Sequence, residues 1–184
     1  MPIQTPICDF GQKALPFELK STDNKIISLD NIKGENGTLI MFICNHCPYV
    51  KAVTKEIVED CNELKKIGIN SVAICSNDAV NYPDDSFDNM IKFSNDNQFN
   101  FPYLQDETQE IAKAYDAVCT PDFFGYNKDL GLQYRGRLRE LKNFVPVKDG
   151  ESDLLKAMKQ IAETGKGPQN QIPSAGCGIK WKYN

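Results

Sequence analysis

The sequence predicts an α/β fold, on three observations. The run Leu39-Ile40-Met41-Phe42-Ile43 is continuously apolar, as suits a strand buried on both faces. A helical pattern follows, with Val50, Val53, Ile57, Val58, Cys61 and Leu64 on one stripe. A second apolar run, Ile69 to Cys75, begins after Gly68, a suitable helix stop. Strand, helix and strand in this order make one right-handed parallel crossover.

The remaining elements can be taken in chain order. Residues 1–14 read as irregular, and Cys8 has no clear partner there. Phe17-Glu18-Leu19 and Ile26-Ile27-Ser28-Leu29 alternate as short strands around the turn cluster Ser21-Thr22-Asp23-Asn24. This hairpin leads through Gly34 and Gly37 into the central strand. The helix after that strand is predicted over about 48–66. Residues 76–85 are polar and form a loop at a strand's C-terminal end, where open α/β sheets bind ligands. A helix over about 86–96 turns Phe87, Met90, Ile91 and Ser94 inward. Phe101 to Leu104 is a short strand. Asp106 is placed as the N-cap of a helix running to Tyr115, with Ile111, Ala112 and Tyr115 buried. Asp122–Tyr126 and Leu132–Gly136 make a second hairpin around 127–131. The last helix spans about 152–164 and stops at Gly165, with Leu154, Leu155, Met158, Ile161 and Ala162 on its apolar side. The segment 166–184 reads as an extended, flexible tail. With no internal repeat, residues 1–184 read as a single domain.

Composition narrows the function classes. The chain has 184 residues, a formal net charge of −4 and seven cysteines. A mildly acidic balance gives no reason to expect nucleic acid or an anionic membrane as partner. No apolar run is long enough to span a bilayer, and the N-terminus has no secretory pattern. An odd cysteine count fits reduced thiols in the cytoplasm better than a disulfide framework.

The chemistry concentrates in Cys44-Asn45-His46-Cys47-Pro48-Tyr49-Val50. Pro48 sits where a helix begins, a position that tolerates a missing N–H. Cys47 therefore falls at the N-cap, on a turn expected to be partly exposed. The positive end of the helix dipole favours its thiolate and lowers its pKa. Cys44 completes a C-x-x-C pair in an unusual frame, because the second cysteine caps the helix and the first belongs to the strand end. It either tunes or resolves Cys47, or packs as a core thiol. His46 is the only histidine. It either holds a proton or cation beside the sulfur or simply shapes the turn. Cys61 and Cys75 read as structural. Cys177, between two glycines, is either a mobile resolving thiol or an idle one. Arg135, Arg137 and Arg139 alternate at a strand end and share one face. They either stabilise a thiolate or form a solvated edge.

Together these residues resemble a known family. The stretches Phe17 to Leu29, Cys44 to Lys51, Ser76 to Asp85, Phe101 to Leu104, Asp106 to Gln109, Val118 to Phe124, Tyr134 to Arg137, and Gly176-Cys177 with Ile179-Lys180-Trp181 are similar to peroxiredoxin-like proteins of the thioredoxin superfamily, in the alkyl hydroperoxide reductase / thiol-specific antioxidant group. The resemblance implies a thioredoxin-like fold. That fold has a central mixed sheet flanked by helices, an N-terminal hairpin and an insertion after the second core strand. It also implies Cys47 as nucleophile and Pro121 as a cis proline facing it, which would bring Cys119 close. The chain departs from relatives at Val50, where a thioredoxin dithiol has its second cysteine, and at Cys44, where peroxiredoxins keep a hydroxyl residue.

The leading expectation is a thiol oxidoreductase, with Cys47 attacking a peroxide oxygen or a disulfide sulfur. Cys119 is the first choice of resolver, then Cys44, then Cys177. Thr120 and Arg135 or Arg137 would stabilise the sulfur anion, and His46, Pro48 and Arg135 would meet the substrate. No cofactor is expected. The reducing partner would be a thiol protein or a glutathione-type donor, and a homodimer is compatible with the sequence. Two other readings stand beside it. One is copper(I) or zinc binding by Cys44, His46 and Cys47, with Cys119 as a fourth ligand. The other is a binding module on the same fold without turnover.

Overall fold

The computed structural model describes residues 1–183. Asn184, the last residue of the predicted tail, lies outside the described residues. In chain order the strands and helices are β1 (Ile3–Gln4), β2 (Glu18–Ser21), β3 (Ile26–Ser28), α1 (Leu29–Ile32), β4 (Gly37–Phe42), α2 (Pro48–Lys51), α3 (Thr54–Lys66) and β5 (Ile69–Cys75). A 3₁₀ turn at Pro83–Asp85 precedes α4 (Phe87–Asp96), β6 (Tyr103–Gln105) and α5 (Glu110–Ala114). Then come β7 (Cys119–Thr120), β8 (Asp122–Tyr126), β9 (Leu132–Tyr134), β10 (Leu141–Lys142), β11 (Val145–Pro146), α6 (Asp153–Thr164) and β12 (Ala175–Gly178).

Seven strands form one sheet in the order β3-β2-β6-β5-β4-β8-β9. β4, β5 and β6 run parallel, and the other pairs are antiparallel. The sheet is therefore mixed and flanked by helices, the thioredoxin-like architecture that the resemblance implies. Alternation along β4 divides the core. Leu39, Met41 and Ile43 face a cluster that holds residues of α3, α4 and α6. Ile40 and Phe42 face the opposite cluster, with Leu29 and Ile32 of α1 and Ala112 of α5. Every residue of β4 is buried, as its unbroken apolar run requires.

Six elements differ from expectation. Residues 1–14, read as irregular, contribute β1, and Leu29, read as a strand residue, begins α1. The helix predicted over 48–66 is broken after Lys51. The Val53 N–H bonds to the Val50 carbonyl in a tightened turn, and the Thr54 hydroxyl donates to that same carbonyl at 2.7 Å. A side chain inserted into the ladder in this way bends a helix. The helix expected after Asp106 starts only at Glu110, because Gln109 adopts a left-handed backbone with φ 67°. Asp106 still accepts the Ile111 and Ala112 N–H groups, at 3.3 and 2.9 Å. β9 ends at Tyr134, so Arg135, Arg137 and Arg139 lie beyond the strand, and each pairs with a different carboxylate, on Asp122, Asp153 and Glu56. The tail is no loose extension, since β12 pairs on one edge with β1 and on the other with β7.

Two carboxylates are buried on α3. Glu56 takes the Arg139 guanidinium, with Nε 2.9 Å from both of its oxygens. Arg139 also donates to the Val147 and Gly150 carbonyls, pinning the chain ahead of α6. Asp60 accepts the Ser152 hydroxyl at 2.6 Å, and burial raises its pKa to about 6. A raised carboxyl pKa contributes stability below the unfolded value, and that contribution is lost as pH rises through 6. Asp60→Asn keeps an oxygen for Ser152 and removes the charge. We expect it to stabilise the fold by about 1–3 kcal/mol at pH 7 and by nothing near pH 4. Thermal melts at the two pH values check this, and equal shifts at both would contradict it.

Candidate active site

The site forms where β4 hands over to α2. The Ile43 N–H still bonds to the Ile74 carbonyl of β5, at 3.0 Å, and the chain then turns through Cys44, Asn45 and His46. Cys47 is the N-cap of α2, with extended backbone (φ −69°, ψ 124°) and Pro48 following it inside the helix. The Val50 and Lys51 N–H groups close on the Cys47 carbonyl. The predicted cap is present, but α2 is only one turn long.

Opposite the turn stands the Thr120-Pro121 peptide, which is cis. The Cys47 sulfur lies 3.3 Å from the Thr120 carbonyl oxygen, and Cys44 Sγ lies 3.4 Å from Thr120 Oγ1. The structure therefore brings Cys44, Cys47, Thr120 and Pro121 together. Cys47 is also fully buried, against the expectation of a partly exposed turn. The cover comes from the tail, because Cys177 packs on the cluster that contains Cys47.

Hydrogen bonds decide the electrostatics. Neighbouring donors favour the Cys47 thiolate, with Cys44 the largest influence, followed by Cys177 and the Thr120 hydroxyl. Burial and the Thr120 carbonyl oppose ionisation. The donors outweigh them and lower the Cys47 pKa to about 4. Cys44 shifts the other way, first because its hydrogen is held by Cys47 and then because it is buried. Cys177 rises to about 11, through burial and then its bond to Cys47.

The other predicted residues are placed differently. The Cys119 thiol turns to the Pro121 carbonyl, at 3.7 Å, and makes no hydrogen bond to Cys47. Burial raises its pKa. His46 directs Nδ1 to Asp85 Oδ2 at 2.6 Å, and its ring lies parallel to Tyr82. The ring is held between Asp85 and Tyr82, with Nδ1 on the side of the carboxylate. Cys44, His46 and Asp85 present ligand atoms within 4.8 Å of one another. The expected metal-ligating trio with Cys47 is not the one that converges, because the Cys47 sulfur turns to Thr120 and Cys177.

The arginines are committed elsewhere. Arg135 places Nε 3.2 Å and a terminal nitrogen 2.9 Å from the two oxygens of buried Asp122, donates to the Asp116 carbonyl and covers the Phe124 ring. Arg137 pairs with Asp153 at 2.7 Å. Neither reaches the Cys47 sulfur, since each nearby carboxylate claims its own guanidinium. Arg137 does line a cavity of about 250 Å³ beside Pro121, with Tyr49, Phe123, Leu138 and Ile172.

Sequence reasoning missed the layer that fixes the turn. Asp85 accepts the Asn45 N–H at 2.8 Å and the Asn77 side-chain amide at 2.8 Å. Asn45 in turn donates to the Asp84 carbonyl and accepts from the buried Tyr103 hydroxyl. The signal available was the cluster of Asn and Asp in 76–85, at the ligand-binding end of the sheet.

The sequence profile of the AhpC/TSA family matches residues 10–140. No curated protein matches the sequence. Among solved structures, an uncharacterized conserved protein from Geobacillus kaustophilus is 42% identical, with a TM-score of 0.94 over 100% of this chain and 98% of that one. A hypothetical protein from Sinorhizobium meliloti 1021 is 30% identical, with a TM-score of 0.91 over 100% of each chain. The thioredoxin domain of a thiol-disulfide oxidoreductase from Bacteroides vulgatus is 14% identical, with a TM-score of 0.58 over 73% of this chain and 89% of that one. At that identity the likeness is one of fold, and the fold is thioredoxin-like.

Proposed function

The chain belongs to the AhpC/TSA family, and from that premise we propose that it is a thiol-dependent oxidoreductase whose nucleophile is Cys47. The observation that carries this reading is the Cys47 sulfur. Its pKa is lowered to about 4 by neighbouring donors, and it faces the cis Thr120-Pro121 peptide. A thiolate is the attacking form of cysteine, and here it persists through the neutral range.

Two substrate classes fit the same atom. With a peroxide, the thiolate attacks one oxygen, the O–O bond breaks, and the departing alkoxide or hydroxide takes a proton. Cys47 is left as a sulfenic acid. With a disulfide, the thiolate attacks one sulfur, the S–S bond breaks, and the other sulfur leaves as a thiolate. A second thiol then displaces either product and forms a disulfide within the protein. A thiol protein or a glutathione-type donor would restore the reduced state. The cavity beside Pro121 offers apolar walls from Tyr49, Phe123 and Leu138 for the organic part of a substrate. All seven cysteines are free, which suits the reducing cytoplasm we assign to it.

The test is rapid-mixing oxidation by hydrogen peroxide and by oxidised glutathione, with intact-mass detection. Wild-type protein should be modified at Cys47 by at least one of the two, and Cys47→Ser should react only at the rate of the remaining thiols. Equal rates for the two proteins would remove Cys47 as nucleophile.

A further inference from the structure

Resting on the redox reading of Cys47, we propose that Cys177 is the thiol that resolves oxidised Cys47, carried on a strand that also seals the site. β12 lies antiparallel to β7, with Cys177 opposite Thr120 and Gly178 opposite Cys119. Its other edge is held by β1, with Ile3 opposite Gly176 and Gln4 opposite Ala175. The approach to β7 is closer than a side chain would allow. A Cβ on Gly176 would lie 1.9 Å from the Thr120 carbonyl oxygen, so only glycine lets the strand seat there. Seated in this way, Cys177 stands opposite Thr120, whose carbonyl oxygen is 3.3 Å from the Cys47 sulfur, and it packs on the cluster that holds Cys47.

The segment is fastened on both sides of Cys177. Before it, the Ser174 hydroxyl donates to the Pro121 carbonyl at 2.7 Å, and Thr5 exchanges bonds with the Ser174 backbone. After it, the Lys180 N–H reaches Asn77 Oδ1 at 2.9 Å, and the Lys180 carbonyl accepts from the Gln109 side chain at 2.8 Å. Ile179 is buried in the core on the sheet's other face. The strap therefore holds Cys177 against Cys47 in the reduced state, without a search.

Accessibility separates Cys177 from its rivals. Cys44 contacts Cys47 but is 1% exposed, in a turn fixed by Asp85 and Asn45. Cys119 is fully buried, and its thiol turns to Pro121. Cys177 is partly exposed. A disulfide between Cys47 and Cys177 leaves one sulfur that an external thiol can reach, and exchange starts at the reachable sulfur.

The step balances. The Cys177 sulfur attacks the sulfur of the Cys47 sulfenic acid, the S–O bond breaks, and hydroxide leaves as water with the Cys177 proton. If the first step used a disulfide, Cys177 attacks Cys47 in the mixed disulfide and the substrate thiolate leaves. In either case two electrons have passed to the oxidant, and the external thiol donor returns them. The negative charge on Cys47 opposes ionisation of Cys177 in the reduced protein. Oxidation of Cys47 removes that charge as the second thiol is needed.

The full chain is treated with one equivalent of hydrogen peroxide or oxidised glutathione, digested with trypsin and mapped by mass spectrometry. Peptide 34–51 carries Cys44 and Cys47, 114–128 carries Cys119, and 167–180 carries Cys177. We expect a link between 34–51 and 167–180, through Cys47 on fragmentation, and we expect it to persist in Cys44→Ser and Cys119→Ser. Cys177→Ser should stop at a Cys47 sulfenic acid, trapped by dimedone, or at a stable glutathionyl adduct. A link within 34–51 or to 114–128, or disulfide closure in Cys177→Ser at the wild-type rate, would overturn the assignment while leaving Cys47 as nucleophile. No modification of Cys47 by either oxidant would overturn the redox reading as well.

Discussion

Cys44→Ala should raise the pKa of Cys47 by about 1–2 units. The Cys44 thiol is the leading donor to the Cys47 sulfur. A hydrogen bond to a charged group contributes about 1.5–3 kcal/mol. One pKa unit corresponds to about 1.4 kcal/mol, so losing the bond moves the midpoint upward by that amount. Alanine has no hydrogen to offer, whereas serine does. Cys44→Ser should therefore keep the midpoint near the wild-type value. The ultraviolet absorbance of the thiolate, followed against pH and compared with Cys47→Ser, reads this directly. A midpoint that stays near 4 in Cys44→Ala would show that Cys177 and Thr120 suffice. The sign extends to stability. The folded pKa of Cys47 lies below its ordinary value of 9.0. Its ionisation thus adds stability that is complete above pH 9, declines as pH falls and is gone below about 4. Cys44→Ala narrows that window from the acid side.

Arg135→Met should destabilise the protein by about 3–5 kcal/mol, the usual consequence of stranding one partner of a buried ion pair. Asp122 is fully buried and Arg135 is 6% exposed. Removing the guanidinium leaves a carboxylate that burial already disfavours, with only the Val118 N–H to meet it. For a chain of this size the melting temperature should fall by about 6–20 °C at pH 7. The stranded carboxyl has a raised pKa, so its loss of stability sets in as pH rises and the deficit should shrink in acid. Adding Asp122→Asn should recover part of it, because the amide oxygen still accepts from Val118. A melting shift near zero for Arg135→Met would contradict the structural role. Oxidation of Cys47 in that variant, measured well below its melting temperature, should stay near wild type. A large loss there would return Arg135 to the chemistry.

Much of the scaffold was readable because its rules are local. The apolar run of β4, the stripe on α3 and the Ser152-to-Gly165 limits of α6 each follow from neighbours within a few residues. The Cys47 cap followed from Pro48 in the same way. The break at Val53 did not, because it depends on the Thr54 hydroxyl choosing the Val50 carbonyl over solvent. Asp85, Asn77 and Gln109 were hidden for another reason. Each is an ordinary loop residue until its partner arrives, and those partners lie 40 residues away for Asp85 with Asn45 and 73 for Gln109 with Lys182.

By itself, the sequence determined the α/β order of elements and the helix cap at Cys47, because periodicity and capping are written in adjacent residues; the proline opposite the cap came from the family resemblance. Only the tertiary structure decided how the sulfur is ionised, which thiol lies against it and what covers it. Those outcomes depend on β12, a four-residue strand with two glycines and no periodicity, seating on a two-residue strand more than fifty positions earlier. They depend equally on Asp122 and Asp153, which take Arg135 and Arg137, two of the arginines that spacing left open between a thiolate partner and a solvated edge. Charges and hydrogen-bond donors act through space, and a chain discloses its distances through space only when it has folded.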